Sequence, residues 1–193
     1  EEHRYPMPLA ETASIFCETL VKNTLLKKAT GDERRYLLES GLQGQTQVIV
    51  DIYSRYLFES ELFDRRKEGA LSADTLNAMM LEAQDRAYGD GLDPSVRHPH
   101  MWQNKPHYYS AGQNFYNFPY AFGLLFAKGL YARYLEEGET FVDRYDELLR
   151  YTGKATIEEV TASVGIDVTS RDFWDRSLQL IIDEIDAFID LVD

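Results

Sequence analysis

Residues 32–68 read DERRYLLESGLQGQTQVIVDIYSRYLFESELFDRRKE, and their pattern decides the fold class. Leu38, Leu42, Ile49, Ile52, Tyr53 and Tyr56 recur at three-or-four spacing, the period of a helix that buries one face. At 1.5 Å per residue it would span roughly 50 Å. Gly41 and Gly44 weaken its first half by about 1 kcal/mol each relative to alanine. They mark a close approach to a neighbour or a bend.

Outward from this segment, the rest also reads as helix. Residues 8–29 are apolar on almost every face, which predicts a central helix. Ser72 can cap a helix that runs to Tyr88. Residues 89–112 lack helical periodicity and are rich in Pro, His and Gly, so they form a long loop of the kind that often carries function. Helix returns at 115–135 and 140–151. TIEE at 156–159 is a capping box, with Gly165 as its stop. Trp174, Leu178, Ile181, Ile185, Phe188 and Val192 form one stripe on the last helix. Strand signals are weak throughout. The expectation is an all-α fold, with residues 1–193 as a single helical domain.

Composition narrows the function. The net charge of −13 leaves no basic surplus to displace phosphate counterions, which argues against nucleic acid and anionic membrane surfaces as partners. No apolar run reaches the length of a membrane span. Cys17 is the sole cysteine, so there is no internal disulfide, as in a reducing, cytoplasmic setting.

Two regions carry chemistry. In ETASIFCE, residues 11–18, Glu11 and Glu18 lie seven apart and share a helical stripe. Glu18 has Lys22 four residues on, a favourable order. Glu11 has only Met7, Ser14 and Ile15 at the corresponding positions. A carboxylate in apolar surroundings needs a charge or a metal, or it takes up a proton. Glu11 is therefore the better candidate for an external cation. In KPHYYSAGQNFYNFPYAFG, residues 105–123, aromatics crowd around His107. The residues alone allow an aromatic core cluster, or a Gly-bearing loop that sets His107 and tyrosine hydroxyls around a substrate carbonyl. His98 and His100 are metal ligands by type. HExxH, CxxC, Glu-x-x-His and GxSxG are all absent.

Taken together, MPLAETASIFCE and PHYYS…FYNFPYAFGLLFAKGLYARY resemble the C-terminal part of oligoendopeptidase F, in the thimet-oligopeptidase-like family of zinc metallopeptidases. The resemblance implies a mostly helical peptidase with a central channel that admits short peptides. It makes Glu11 the third zinc ligand, after two His from an HExxH helix, and Glu18 an outer group that orients a ligand or a neighbouring helix. It sets His107 with Tyr116 and Tyr120 as donors to the oxyanion. Tyr108, Tyr109 and Gly112 fall in the substrate-binding loop. The family's HExxH segment does not occur in these residues. The chain is then expected to be an inactive fragment, with the missing N-terminal part of the same enzyme as a partner. Two rival readings are a non-enzymatic acidic helical interaction domain, with Glu11 paired to a basic side chain, and a self-contained metalloprotein using Glu11, His98, His100 and His107.

Overall fold

The computed structural model of the protein describes residues 6–192. It is all-α, with no strand among those residues. The helices are α1 (Thr12–Leu26), α2 (Gly31–Thr46), α3 (Ile52–Arg66), α4 (Ala73–Tyr88), α5 (Phe118–Glu137), α6 (Thr140–Tyr151), α7 (Ile157–Ser163) and α8 (Arg171–Val192). Two compact units make up the chain. One comprises Glu1–Gly44 with Pro119–Asp193, and the other Gln45–Phe118.

In the first unit the central place belongs to α5. Its residues Phe126 to Tyr131 are all buried, because the sequence FAKGLY offers apolar or small side chains on nearly every side. The helix expected to be central, at 8–29, is shorter. A 3₁₀ turn at Met7–Leu9 precedes α1, and Val21 and Leu25 of α1 are exposed. Phe16 is its main anchor, with its ring 4.4 Å from that of Tyr145. The capping box on α7 forms as expected: Thr156 Oγ1 accepts from the Glu159 N–H, and Glu159 accepts from the Thr156 N–H. Gly165 follows the end of α7 with a φ of 75°.

Lys22 does not pair with Glu18, which is exposed. Its ammonium donates to Glu184 of α8 at 2.7 Å, and Lys128 of α5 donates to the other oxygen of Glu184 at 2.6 Å. Gly41 is a close approach. A Cβ there would collide with the end of the Lys22 side chain, whereas Gly44 has open space around it. The stripe expected on α8 divides. Ile181 is buried and Trp174 packs on the core, but Leu178, Ile185 and Val192 are exposed beside Ile182 and Ile189.

In the second unit α3 packs on α4 around Leu57, Phe58, Met79, Met80 and Ala83. The long segment 32–68 is helical from Gly31 to Arg66, but residues Gln47–Asp51 form a π turn. One extra residue in a turn advances the helical wheel by about 100°. This changes which side is inside. Tyr53 and Tyr56, read as part of the apolar stripe, are exposed, while Asp51, Ser54 and Glu59 are buried. Ser72 caps α4 by accepting from the Thr75 N–H at 3.1 Å.

The loop after α4 holds three 3₁₀ turns, at Pro94–Val96, Met101–Asn104 and Pro106–Tyr109. Gln84 of α4 fastens it. The amide donates to the His98 carbonyl at 2.9 Å and accepts from the His98 N–H at 2.9 Å. Asn77 Oδ1 adds two links, one from Trp102 Nε1 at 3.0 Å and one shared with His100 Nδ1 at 3.1 Å.

Candidate active site

His107 sits in the Pro106–Tyr109 turn, and proline at the start of that turn fixes its entry. The imidazole is buried, and its Nε2 has no hydrogen-bond partner among the described residues. The ring of Tyr108 is 4.4 Å away at 62°, and that of Tyr116 is 5.8 Å away. The Tyr108 hydroxyl is also buried and has no partner among the described residues. Both side chains line a cavity of about 470 Å³. Buried polar atoms normally find partners, so two orphans on side chains that line one cavity leave hydrogen-bonding capacity there for a ligand to meet.

The electrostatics fix the state of these groups. Burial pushes the His107 imidazole below its ordinary 6.5, and the charges of Arg55 and Lys105 push it the same way. The ring is neutral at pH 7. Burial, reinforced by the charge of Glu59, drives the Tyr108 phenol far above its ordinary 10, so it keeps its proton. A neutral imidazole and a phenol can each donate one hydrogen bond to a carbonyl oxygen.

Behind this pair runs a polar row, from the end of the π turn into α3, that the sequence reading missed. Asp51, Arg55 and Glu59 recur every four residues. Asp51 binds the Arg55 guanidinium and accepts from Gln47 at 3.0 Å. Arg55 also donates to Asn117 at 3.4 Å. Glu59 accepts from the Phe115 N–H at 2.8 Å. Phe115 has a φ of 54°, rare for a bulky residue, and its ring packs 5.5 Å from Tyr56 and 5.6 Å from Phe63. The signal available in the sequence was the D-x-x-x-R-x-x-x-E spacing. It was hidden by the tyrosines beside it.

Tyr109 is mostly exposed, and Gly112 is exposed with open space around it. His98 and His100 serve the loop: the His98 Nδ1 accepts from the His100 N–H at 3.2 Å. Among the described residues no three His, Cys, Asp or Glu side chains group as a metal site.

Glu11 and Tyr120 lie in the first unit. Glu11 is the N-cap residue of α1, yet its carboxylate does not cap the helix and has no ion pair among the described residues. It packs where α5 comes close: a Cβ on Gly123 would lie 3.4 Å from Glu11 Cβ and Ile15 Cδ1. Tyr120 is three residues before Gly123, on the same side of α5. Glu11 thus offers one uncommitted anionic ligand, which fits a share in a metal site. Glu18 is exposed one turn beyond Thr12–Ser14.

Comparison with known proteins decides the family: the model of peptidase family M3 matches residues 1–180. The chain belongs to peptidase family M3. It is 28% identical over 191 residues to oligoendopeptidase F (plasmid) of Lactococcus lactis subsp. cremoris, covering 98% of this chain and 31% of that protein. It is 26% identical over 190 residues to oligopeptidase PepF of Bacillus subtilis, covering 97% of this chain and 28% of that protein. The crystal structure of oligoendopeptidase-F from Enterococcus faecium shares the fold, with a TM-score of 0.84 at 21% identity over 98% of this chain and 36% of that one. The chain therefore spans about a third of the length of the M3 relatives it matches. No helix among its described residues is long and apolar enough to cross a membrane.

Proposed function

We propose that the chain is part of a zinc-dependent oligoendopeptidase that hydrolyses short peptides, and that it acts in the cytoplasm. The observation that carries this reading, beside the family, is the pair of buried polar atoms without partners, His107 Nε2 and Tyr108 Oη, on side chains that line one cavity. Glu11 would furnish one zinc ligand, the others coming from residues outside this chain. When bound, the metal supplies a water activated for attack on the scissile carbonyl.

The chain's own residues bind and polarise that carbonyl. His107, held neutral by burial and by Arg55 and Lys105, offers an N–H rather than a full charge. Tyr108 offers its hydroxyl from the adjoining position, and Tyr116 and Tyr120 are further donors on this reading. A donor that is already oriented and desolvated pays little reorganisation as charge grows on the oxygen. Tyr109 and Gly112 border the peptide's path, where a small, exposed residue leaves the backbone accessible. Glu18 would orient a neighbouring group in the longer protein. No HExxH occurs in these 193 residues, so by themselves they are expected not to turn over peptides.

The test uses the longer protein. Tyr108→Phe, Tyr116→Phe and Tyr120→Phe are assayed on a fluorogenic peptide alongside His107→Gln. Removing a true oxyanion donor lowers kcat by about 10²–10³ with zinc content unchanged. Glu11→Ala should lose zinc and activity together. Wild-type kcat in all four donor variants would overturn the role of the loop, and full zinc in Glu11→Ala would remove Glu11 from the metal.

A further inference from the structure

The cavity beside His107 also contains one acid. Its walls are largely apolar: Phe58 and Leu62 of α3, Leu71, Leu76 of α4, Trp102 and the Tyr108 ring. Glu59 enters this wall at 5% exposure. One of its oxygens accepts from the Phe115 N–H, and no Lys, Arg or His among the described residues pairs with it. The cation nearest in sequence, Arg55, is committed to Asp51 and Asn117. Arg66 lines the same cavity, but its guanidinium is exposed and donates to the Gly69 carbonyl at 3.1 Å. Burial raises the Glu59 carboxyl above its ordinary 4.5, and the Phe115 N–H only partly offsets this.

A buried carboxylate without a counter-charge is costly, and the cost falls when a ligand brings a cation to it. Aromatic rings add attraction for the same ligand, and those of Phe58, Phe63, Trp102, Tyr108 and Tyr109 line the cavity. The net charge of −13 draws cations toward the molecule as a whole. The volume of about 470 Å³ suits a long side chain. Such pockets commonly measure about 300–1,000 Å³.

We propose that this cavity is a specificity pocket for a basic side chain of a peptide, arginine or lysine, with Glu59 receiving the charged end and Leu62, Leu71 and Trp102 packing against the aliphatic stem. The inference rests on the peptidase reading for its substrate and goes beyond it in naming the side chain selected. A purely structural Glu59 would serve only to hold the Phe115 N–H in its unusual backbone conformation.

The experiment separates these roles. Calorimetric titration of the full chain compares acetyl-Gly-Arg-Gly-amide with the same peptide carrying norleucine. The arginine peptide should bind about tenfold more tightly, a difference within reach of one buried ion pair. Glu59→Gln keeps an acceptor for the Phe115 N–H, so the fold is preserved while the preference disappears. Leu71→Trp fills the cavity and should abolish binding of both peptides, which covers the case of a Glu59 variant that does not fold. Equal affinity for the two peptides, a preference retained in Glu59→Gln, or binding retained in Leu71→Trp would each overturn the proposal. Hydrolysis by the longer protein is scored separately. Cleavage with no arginine or lysine preference would sink the pocket and spare the peptidase reading; arginine-selective binding with no cleavage would do the reverse.

Discussion

Glu184 lies between two lysines, and Lys128 is 3% exposed, so the carboxylate's charge is what keeps that lysine tolerable in the interior. Burial alone would raise the Glu184 carboxyl. The ammonium groups of Lys128 and Lys22 outweigh burial and hold it below its ordinary 4.5. Between the folded value and 4.5 the unfolded chain therefore binds more protons than the folded one, and stability rises with pH across that window. The contribution is fully present above 4.5 and is lost as pH falls through the folded value. Glu184→Gln removes the charge and leaves Lys128 buried without it. We expect a loss of about 3 kcal/mol at neutral pH. Urea unfolding from neutral pH down to about pH 3 checks both points. The variant should be less stable at pH 7 and should lack the part of the acid-side decline that Glu184 causes. Equal stability of the two proteins at pH 7 would show that the cluster is not a stabilising one.

At the scale of the element, Gln84 on α4 is the residue to change. It is almost fully buried, and it satisfies both backbone groups of His98. Gln84→Leu keeps the volume but leaves the His98 N–H without its partner and the His98 C=O with only the longer bond from the Met101 N–H. The expected cost is about 1–3 kcal/mol, seen in thermal unfolding, with faster proteolysis in residues 94–104. An unchanged protease pattern would mean that Asn77 and Trp102 suffice to hold the loop. The sequence announced some elements and not others for a physical reason. The Ser72 cap, the TIEE capping box and the Gly165 stop act within four residues, so their chemistry is visible locally. The partner of Lys22 lies 162 positions away, and only the folded chain brings it near. The π turn at Gln47–Asp51 has no local composition of its own, so a helical wheel drawn with 3.6 residues per turn put Tyr53 and Tyr56 inside and overlooked Arg55 and Glu59. His107 and Tyr108 stood out by residue type. That their polar atoms would be buried and unmet at one cavity could not be read from type.

At the scale of the molecule, α8 displays Leu178, Ile182, Ile185, Ile189 and Val192 to solvent at alternating four- and three-residue spacing. A seam of this kind pairs with another helix in water, while the net charge of −13 opposes like chains meeting. Salt should decide between them. The chain is expected to run above its 22.3 kDa mass in light scattering at high ionic strength. Ile185→Glu, in the middle of the seam, should return it to that mass. A monomer at every salt concentration would show that the seam does not drive association. The π turn bears on the history of such a protein in another way. Its helix is more vulnerable to a lost codon than to a changed one. Deleting any one residue from 47–51 would restore an ordinary α turn and swing the inner face of α3 by about 100°. Glu59 and Phe58 would leave the interior together. Along this stretch, outside Gln47 and Asp51, which serve Arg55, descendants of the gene can vary in spelling but not in length.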